Sequence, residues 1–300
     1  MRVATRFLSI AGATLALGIG PIVLQHGSPA VAEDAVRILS LGGDITEILY
    51  DLGQQDKVVA VDTTSQFPED ALKTKKSVGY LRALSAEGVL SVNPTLIIAS
   101  DDAGPPEVVK ALKSSGVKYI DIADKKTPDG VTQKVRHIGS IVGADDAAKT
   151  LAAKIEADFG GLESDRKKIT ARKKVLFILA IQKGRATVAG SGTSADSVLH
   201  LAGADNAAAA ITGFKPVSDE QLTEFAPDAV VVMRRGAADE HRAGQALTLT
   251  GLRQSPAFKT KSIIEMDGLY LLGFGPRAPA AARELMTSLY ADPGKTGAIR

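Results

Sequence analysis

Two segments of the chain carry the same residues in the same order, and each leads into a short apolar run. In both, a serine is followed by a glutamate two residues later and by a proline nine residues later. The matching positions, each 133 residues apart, are Ser85, Glu87 and Pro94 in the first segment and Ser218, Glu220 and Pro227 in the second. A serine that caps a short helix, a glutamate in its first turn and a proline that ends it before a buried strand explain this order. A second repeat, offset by 150 residues, relates residues 42–53 to residues 192–203, and together the repeats favour a duplicated lobe.

Apolar runs alternate with helical patterns along the chain, which is typical of a parallel sheet covered by helices. In the first half, short β-rich runs occupy residues 36–41, 58–61, 96–99 and 118–122, and a helical pattern covers 106–115. Asp44 stands where it would cap a helix that contains Ile45, Ile48 and Leu49. The strand pattern restarts at residues 174–180. The sequence therefore predicts an α/β fold with two Rossmann-like lobes, each with a central sheet.

A region rich in helix formers separates the two halves. After a break at residues 143–145, the stretch from Asp145 to about Ala171 predicts one helix of roughly 26 residues, about 40 Å long. We therefore predict a first lobe at residues 33–142, a long rigid connecting helix at 143–173 and a second lobe at 174–300, with a ligand cleft between the lobes. A rigid connector also predicts only modest hinge motion.

The first 32 residues have the pattern of an export signal. Arg2 and Arg6 precede an apolar run at residues 7–24, and Ala30 and Ala32 are the small residues that signal peptidase requires. A membrane anchor is the alternative, which two glycines and a proline in the run disfavour. We predict cleavage after Ala32 and a periplasmic location. The whole chain has 36 basic and 34 acidic residues and the signal holds two of the basic ones, so the mature chain would be neutral and does not predict nucleic-acid binding.

Residues that would support enzymatic chemistry are few. The chain contains no cysteine, which excludes disulfides, thiolate metal sites and cysteine nucleophiles. It has no Gly-x-Ser-x-Gly motif, and the glycine-rich residues 190–193 lack the lysine of a phosphate-binding loop. A secreted metal-dependent hydrolase is the alternative from another class of function. It would require His137, His200 and His241 to converge on one metal ion.

Residues 79–84 form a predicted loop before the helix capped by Ser85, at the sheet edge where ligands bind in α/β folds. In an extended segment Tyr80 and Arg82 would point to one side and Leu81 to the other. A free phenol has a pKa of about 10, so its ionisation at pH 7 costs about 4 kcal/mol, which an arginine and a ferric ion could supply together. Phenolate is also an axial ligand of haem iron in some proteins. The alternative is a surface tyrosine whose ring packs on the arginine stem.

Residues 79–88, Gly-Tyr-Leu-Arg-Ala-Leu-Ser-Ala-Glu-Gly, closely resemble the loop of the periplasmic haem-binding proteins that feed haem ABC importers. These proteins share a helical-backbone fold with binders of ferric siderophores and cobalamin. The resemblance extends over most of the mature chain and includes residues 39–48, 189–196 and 273–277. The first and last of these motifs are shared more widely among related uptake proteins, so the Tyr-x-Arg loop is the specific part.

The resemblance implies roles for individual residues. Tyr80 would be the axial ligand of ferric haem, and Arg82 would contact the phenolate or a haem propionate. Arg234 and Arg235 follow the strand at residues 229–233 and are candidates for the second-lobe contact to the phenolate or a propionate. Some family members use a histidine there, and His241 is the nearest candidate, although its polar loop argues against it.

Glu87 and Glu220 match the glutamates with which related importers dock onto arginines of the membrane permease. The alternative is that both only compensate a helix dipole. The resemblance thus implies a monomeric binding protein, not an enzyme, that carries ferric haem b to an ABC permease dimer with its ATPase and touches only that complex at the membrane. A ferric siderophore or cobalamin is the alternative cargo, for which Tyr80 would only line the pocket.

Overall fold

The structure, a computed structural model, describes residues 36–234 and 242–290. The predicted signal peptide, Arg235 and His241 lie outside these residues. In the part of the chain that is described, no helix is both long enough and apolar enough to cross a bilayer.

The first lobe contains a five-stranded parallel sheet with the strand order β3-β2-β1-β4-β5. The strands are β1 (Ile38–Leu41), β2 (Val58–Val61), β3 (Lys76–Ser77), β4 (Leu96–Ser100) and β5 (Lys118–Ile122). Every residue of β1 and β4 is buried, as expected for central strands covered by helices on both faces. The helices of this lobe are α1 (Gly43–Asp51), α2 (Asp70–Thr74), α3 (Ala86–Leu90) and α4 (Pro106–Lys113), with a short 3-10 helix at Gln55–Lys57.

The second lobe contains a mixed sheet with the order β11-β10-β6-β7-β9, and β8 pairs with β6. Its strands are β6 (Lys174–Gln182), β7 (Arg185–Ala189), β8 (Asp205–Asn206), β9 (Phe214–Pro216), β10 (Ala229–Arg234) and β11 (Ile263–Asp267). The antiparallel part, which the alternation of strands and helices did not indicate, begins at the β6–β7 hairpin. Lys183 and Gly184 turn the chain there with φ of 50° and 74°, the left-handed pair of a tight two-residue hairpin.

The helices of the second lobe are α7 (Ser194–Leu201), α8 (Asp219–Phe225), α9 (Arg242–Ala246), α10 (Pro256–Thr260), α11 (Gly268–Leu272) and α12 (Ala278–Tyr290), with a 3-10 helix at Thr250–Leu252. Two helices, α5 (Pro128–Val142) and α6 (Asp145–Arg166), lie between the two sheets in the chain and pack on each other. One apolar cluster runs from Ile38 in the first sheet through Phe159 of α6 to Phe177 in the second sheet. The connector is therefore part of a core that both lobes share.

The connecting helix α6 is shorter than the sequence predicted. It has 22 residues and ends at Arg166, not near Ala171, so it is about 33 Å long. Its last turn tightens, because the Lys168 and Ile169 amides donate to carbonyls only three residues back. Ile169 then packs beside Gly203 and the shared core. The chain thus leaves the helix before its helix-forming residues end, and the partly buried Ile169 packs on the shared core.

The repeat predicted from the sequence is present in the backbone. Ser85 caps α3 by accepting the Gly88 amide, and Ser218 caps α8 in a reciprocal capping box with Gln221. The cap predicted for Asp44 is wrong, because α1 begins at Gly43 without a side-chain cap. Asp44 instead makes an ion pair with Lys134 of α5.

Candidate ligand site between the lobes

The carboxyl-terminal edges of the two sheets face each other. Gly43, just beyond the end of β1, lies so close to Leu269 of α11 that a methyl group added there would overlap the leucine side chain. Leu269 follows the end of β11, so the contact joins the carboxyl ends of a strand from each lobe. Loops at such edges are where α/β folds bind ligands, and the predicted tyrosine loop is one of them.

The loop that carries Tyr80 is a turn and not the extended segment that the sequence predicted. The Ala83 amide donates to the Tyr80 carbonyl at 2.8 Å and closes the turn. Gly79 enters it with φ of 94°, a conformation that favours glycine, although open space surrounds the position of its missing Cβ. Tyr80 and Arg82 do share one side, as predicted, but the turn brings them together and not the alternation of a strand.

The turn is fixed to the loop that follows β4. The Gly104 amide donates to the Leu81 carbonyl and the Leu84 amide donates to the Gly104 carbonyl, both at 3.0 Å. Leu81 and Leu84 are each 5% exposed and belong to an apolar cluster under the loop. These two anchors hold the backbone, so the Tyr80 side chain projects outward with 45% of its surface exposed.

The tyrosine hydroxyl, one guanidinium and one carboxylate form a connected group. Arg82 donates from Nη1 to the Tyr80 hydroxyl oxygen at 2.9 Å and from Nη2 to Asp102 Oδ2 at 2.6 Å. Partial burial disfavours the charge of Arg82, but hydrogen bonds to Tyr80 and Asp102 outweigh it, so the pKa of Arg82 is raised and its charge is secure. The group thus presents a polarised phenol oxygen to an open site. Asp102 was not identified from the sequence, because 20 residues separate it from Arg82 and no local pattern links them.

Of the second-lobe candidates Arg234, Arg235 and His241, the structure describes Arg234, which lies at the carboxyl-terminal edge of the second sheet. Arg234 is exposed at the carboxyl end of β10, in register with Asp267 of β11, just before α11. Arg235 and His241 fall outside the described residues. The other two candidate histidines, His137 on α5 and His200 on α7, are exposed. Across residues 36–234 and 242–290, no three His, Cys, Asp or Glu side chains form a group that could hold a metal ion, and the hydrolase alternative receives no support there.

The two docking candidates occupy equivalent places in the two lobes. Glu87 and Glu220 lie in the first turns of α3 and α8, and both are exposed. A hydrogen bond with the Ser218 side chain holds the pKa of Glu220 below its ordinary value. Both carboxylates are thus accessible to a cationic surface.

Two buried charged groups join the lobes, and sequence reasoning missed both. Arg277, which precedes α12, donates from Nε and Nη2 to both carboxylate oxygens of Glu47 on α1, each at 2.9 Å. Lys134 is 3% exposed and contacts Asp44, Asp124 and the Phe274 carbonyl. Burial raises the pKa of Glu47, although Arg277 acts in the opposite direction. The only sequence signal was that Glu47 and Arg277 fall in two motifs shared with related uptake proteins.

Comparison with known proteins identifies relatives that match most of this chain. A family model described as periplasmic binding protein matches residues 38–269. The periplasmic heme-binding protein RhuT from Roseiflexus sp. RS-1, solved in its apo form, is 38% identical with a TM-score of 0.81, and the match covers 85% of this chain and 98% of that one.

Two curated relatives extend the comparison. The uncharacterized ABC transporter substrate-binding lipoprotein YvrC of Bacillus subtilis is 28% identical over 91% of this chain and 86% of its own length. A vitamin B12-binding protein of Pectobacterium atrosepticum is 24% identical over 84% of this chain and 88% of its own length. The family match, the two facing α/β lobes and the helical connector lead to one conclusion. This chain belongs to the periplasmic binding protein family, whose members are substrate-binding proteins of transport systems.

Proposed function

We propose that this protein binds ferric haem in the cleft, with the Tyr80 phenolate as axial ligand, and delivers it to an ABC importer. The observation that carries the proposal is the exposed Tyr80 hydroxyl with Arg82 donating to it at 2.9 Å. Phenolate is an oxygen ligand that haem iron accepts, and a guanidinium on the same oxygen is a charge-assisted hydrogen-bond donor. The 38% identity to a heme-binding protein of the same fold supports this choice of cargo.

The chain's other residues are consistent with this ligand. It has no cysteine to supply a thiolate, and His137 and His200 are exposed on helices. A haem also carries two propionates, which need cations near the rim of the cleft. Arg234 supplies one such cation from the second lobe, and Arg235 is proposed as a second. A single phenolate, with propionate contacts to second-lobe arginines that can adjust, suits a protein that must release its cargo.

The test is the optical spectrum after addition of hemin to the wild type and to Tyr80→Phe. We expect the wild type to give a ferric-tyrosinate spectrum and the variant to lose it while retaining the fold by circular dichroism. Tyr119→Phe is the matched control, because it removes a phenol from β5 outside the Tyr80 loop. An unchanged spectrum in Tyr80→Phe would remove Tyr80 as the ligand.

A second cargo, cobalamin, has one observation in its favour. The curated relative from Pectobacterium atrosepticum is a vitamin B12-binding protein, and the match covers most of both chains. Cobalamin needs no phenolate from the protein, so its binding should be insensitive to Tyr80→Phe. Isothermal titration of the wild type with cobalamin and with hemin separates the two. Tight cobalamin binding and weak hemin binding would replace haem by cobalamin as the cargo.

We further propose that Glu87 and Glu220 dock the loaded protein onto cationic side chains of the permease. The support is their exposure at equivalent positions of the two lobes, a spacing that one helix cannot provide. Reversing both charges, Glu87→Lys with Glu220→Lys, should abolish haem uptake by the importer while hemin binding in solution is unchanged. Glu107→Lys is the control, because Glu107 is also an exposed first-turn carboxylate of the first lobe. Intact uptake by the double variant would contradict the docking role.

The predicted export signal completes the proposal. A periplasmic protein that meets haem from an outer-membrane receptor must cross the inner membrane, and residues 1–32 have the pattern to direct this step. Amino-terminal sequencing of the mature protein should begin at Glu33. A mature protein that retains residues 1–32 would contradict cleavage after Ala32.

A further inference from the structure

We propose that Asp102 is a positioning residue that holds the Arg82 guanidinium on the Tyr80 oxygen and reserves it for that oxygen. The effect on bound iron rests on the proposed haem function. The arrangement of the two side chains does not, because it consists of hydrogen bonds within the chain itself. Asp102 itself does not touch the phenol oxygen in this arrangement; it acts through Arg82.

The Arg82 guanidinium is held in one orientation by two hydrogen bonds. Its two terminal nitrogens have different partners, Nη1 on the Tyr80 hydroxyl at 2.9 Å and Nη2 on Asp102 at 2.6 Å. Because the guanidinium is planar and rigid, fixing one nitrogen fixes the direction of the other. An arginine side chain without such an anchor has many rotamers, and ordering them costs free energy. Asp102 therefore orders the Arg82 side chain.

The backbone around Asp102 is itself fixed by hydrogen bonds. Hydrogen bonds between Gly104 and both Leu81 and Leu84 fix the β4 loop to the tyrosine turn. The Asp102 amide also donates to the Ser100 hydroxyl at 3.2 Å, within its own loop. The carboxylate and the guanidinium are thus mounted on two segments that keep a constant separation. An exposed ion pair without such support contributes little, whereas this one is held by its backbone.

With haem in the cleft, Arg82 has two possible acceptors, the Tyr80 oxygen and a carboxylate of the ligand. A free arginine would turn its two-nitrogen fork toward a carboxylate of the ligand, since that contact is geometrically matched. Here Asp102 already occupies one nitrogen and balances the charge, so Arg82 remains with the phenol oxygen. A ligand that covers the site excludes water and strengthens the Arg82–Asp102 attraction further. Propionates are then left to second-lobe cations such as Arg234.

The test compares Asp102→Ala and Asp102→Asn with the wild type after loading with hemin. Asp102→Ala should shift the iron–phenolate stretching band in resonance Raman spectra and speed haem dissociation about three- to tenfold. Asp102→Asn retains an oxygen acceptor without the charge and should show a smaller change of the same sign. Asp101→Asn is the matched control: Asp101 accepts the Asp124 amide and lies one residue away, and it should change neither readout. Equal values in the wild type and both Asp102 variants would overturn the proposal.

A double-mutant comparison establishes whether Asp102 acts through Arg82. If it does, adding Asp102→Ala to Arg82→Ala should change the Raman band and the dissociation rate no further. Asp102 also affects the nearby Lys126 electrostatically, and an effect through Lys126 would persist in the Arg82→Ala background. An additive double variant would therefore refute the positioning role.

A ligand-free measurement separates this proposal from the haem proposal. In 15N-resolved NMR spectra of the empty protein, the Arg82 guanidinium signals should be sharp and dispersed, and Asp102→Ala should average them. If hemin gives no tyrosinate spectrum in the wild type, the proposed function fails, but the NMR comparison still tests the Arg82 anchor. Averaged Arg82 signals in the wild type would overturn the anchor itself.

Discussion

The buried ion pair between the lobes allows a quantitative prediction. Arg277→Met removes the guanidinium but keeps an apolar stem of similar reach. Glu47 would remain behind with 4% of its side chain exposed and without the cation that now contacts both of its oxygens at 2.9 Å. Loss of one partner of a buried pair is costly because the remaining charge has neither water nor a counter-ion.

Protonation of Glu47 limits the magnitude. A carboxyl of ordinary pKa 4.5 can take up a proton at pH 7 at a cost of about 3.4 kcal/mol, since pH 7 lies about 2.5 units above that value. The part of the penalty that comes from the unpaired Glu47 charge cannot exceed this cost. Arg277 keeps 28% of its side chain exposed, which weakens the pair, so we expect Arg277→Met to destabilise the protein by about 2 to 3 kcal/mol at pH 7.

The cost of protonating Glu47 also predicts how the stability loss of Arg277→Met depends on pH. Burial already raises the pKa of Glu47, so the stability that this group contributes increases as pH falls through its folded-state pKa. Without Arg277 that pKa rises further, and the variant gains more on acidification than the wild type does. At pH 5.5 the cost of protonation is only about 1.4 kcal/mol, so the difference between variant and wild type should shrink. Urea unfolding at pH 7.0 and 5.5, with the slope checked for two-state behaviour, measures both values.

Two control variants sharpen the experiment. Glu47→Gln with Arg277→Met leaves no unpaired charge at this position and should recover most of the lost stability at pH 7. Arg136→Met breaks an ion pair with Glu156 in which both side chains are about half exposed, and it should cost less than about 1 kcal/mol. A penalty for Arg277→Met that is no larger than that of Arg136→Met, or that stays constant with pH, would refute the reasoning.

Three further predictions concern packing and capping. Tyr119 is buried without a hydrogen-bond partner for its hydroxyl among the described residues, and burial raises its pKa to about 12. The stability that Tyr119 contributes below pH 10 is therefore lost as pH rises from about 10 to about 12. Tyr119→Phe should abolish that loss in alkaline melting curves. Gly43→Ala should lower the free energy of unfolding by about 1 to 3 kcal/mol, because its methyl group would overlap both the Thr64 carbonyl of its own lobe and Leu269 of the other. Gly160→Ala, in open space on α6, should raise it by about 0.5 to 1 kcal/mol. Ser218→Ala should cost about 1 kcal/mol in urea unfolding, because it removes the capping box of α8.

The rigid connector has a physical basis beyond its length. Gly139 of α5 packs against Ala148 of α6 so closely that an added methyl group would overlap the alanine. Such close packing leaves little freedom for the two helices to slide. Together with the Glu47–Arg277 and Lys134 contacts, it supports the prediction that free and bound forms differ by only a small rotation of the lobes. A large rotation between the two would contradict it.

Local chemistry explains why much of the fold could be predicted. Strand β5 lies at residues 118–122 as predicted, because a short run of β-branched and aromatic residues between polar segments has few other stable states. The caps at Ser85 and Ser218 were predictable because a cap joins groups only three residues apart. The Tyr80 and Arg82 candidates also came from neighbouring positions. Their arrangement in a turn, however, depends on the contacts of Gly104 with the loop, which no local pattern contains.

Four features could be predicted from the sequence: the two-lobe α/β pattern, the helical connection, the capped repeat and the tyrosine beside an arginine. All of these depend on interactions between residues close in the chain, so composition and spacing report them. The folded structure was needed to show that α6 ends at Arg166, that Asp44 pairs with Lys134 and does not cap its own helix, and that Asp102 contacts Arg82. It also showed that Glu47 meets Arg277, 230 residues away. These contacts follow from burial and charge pairing between segments that are distant in the sequence. Such segments come together only once the chain has folded.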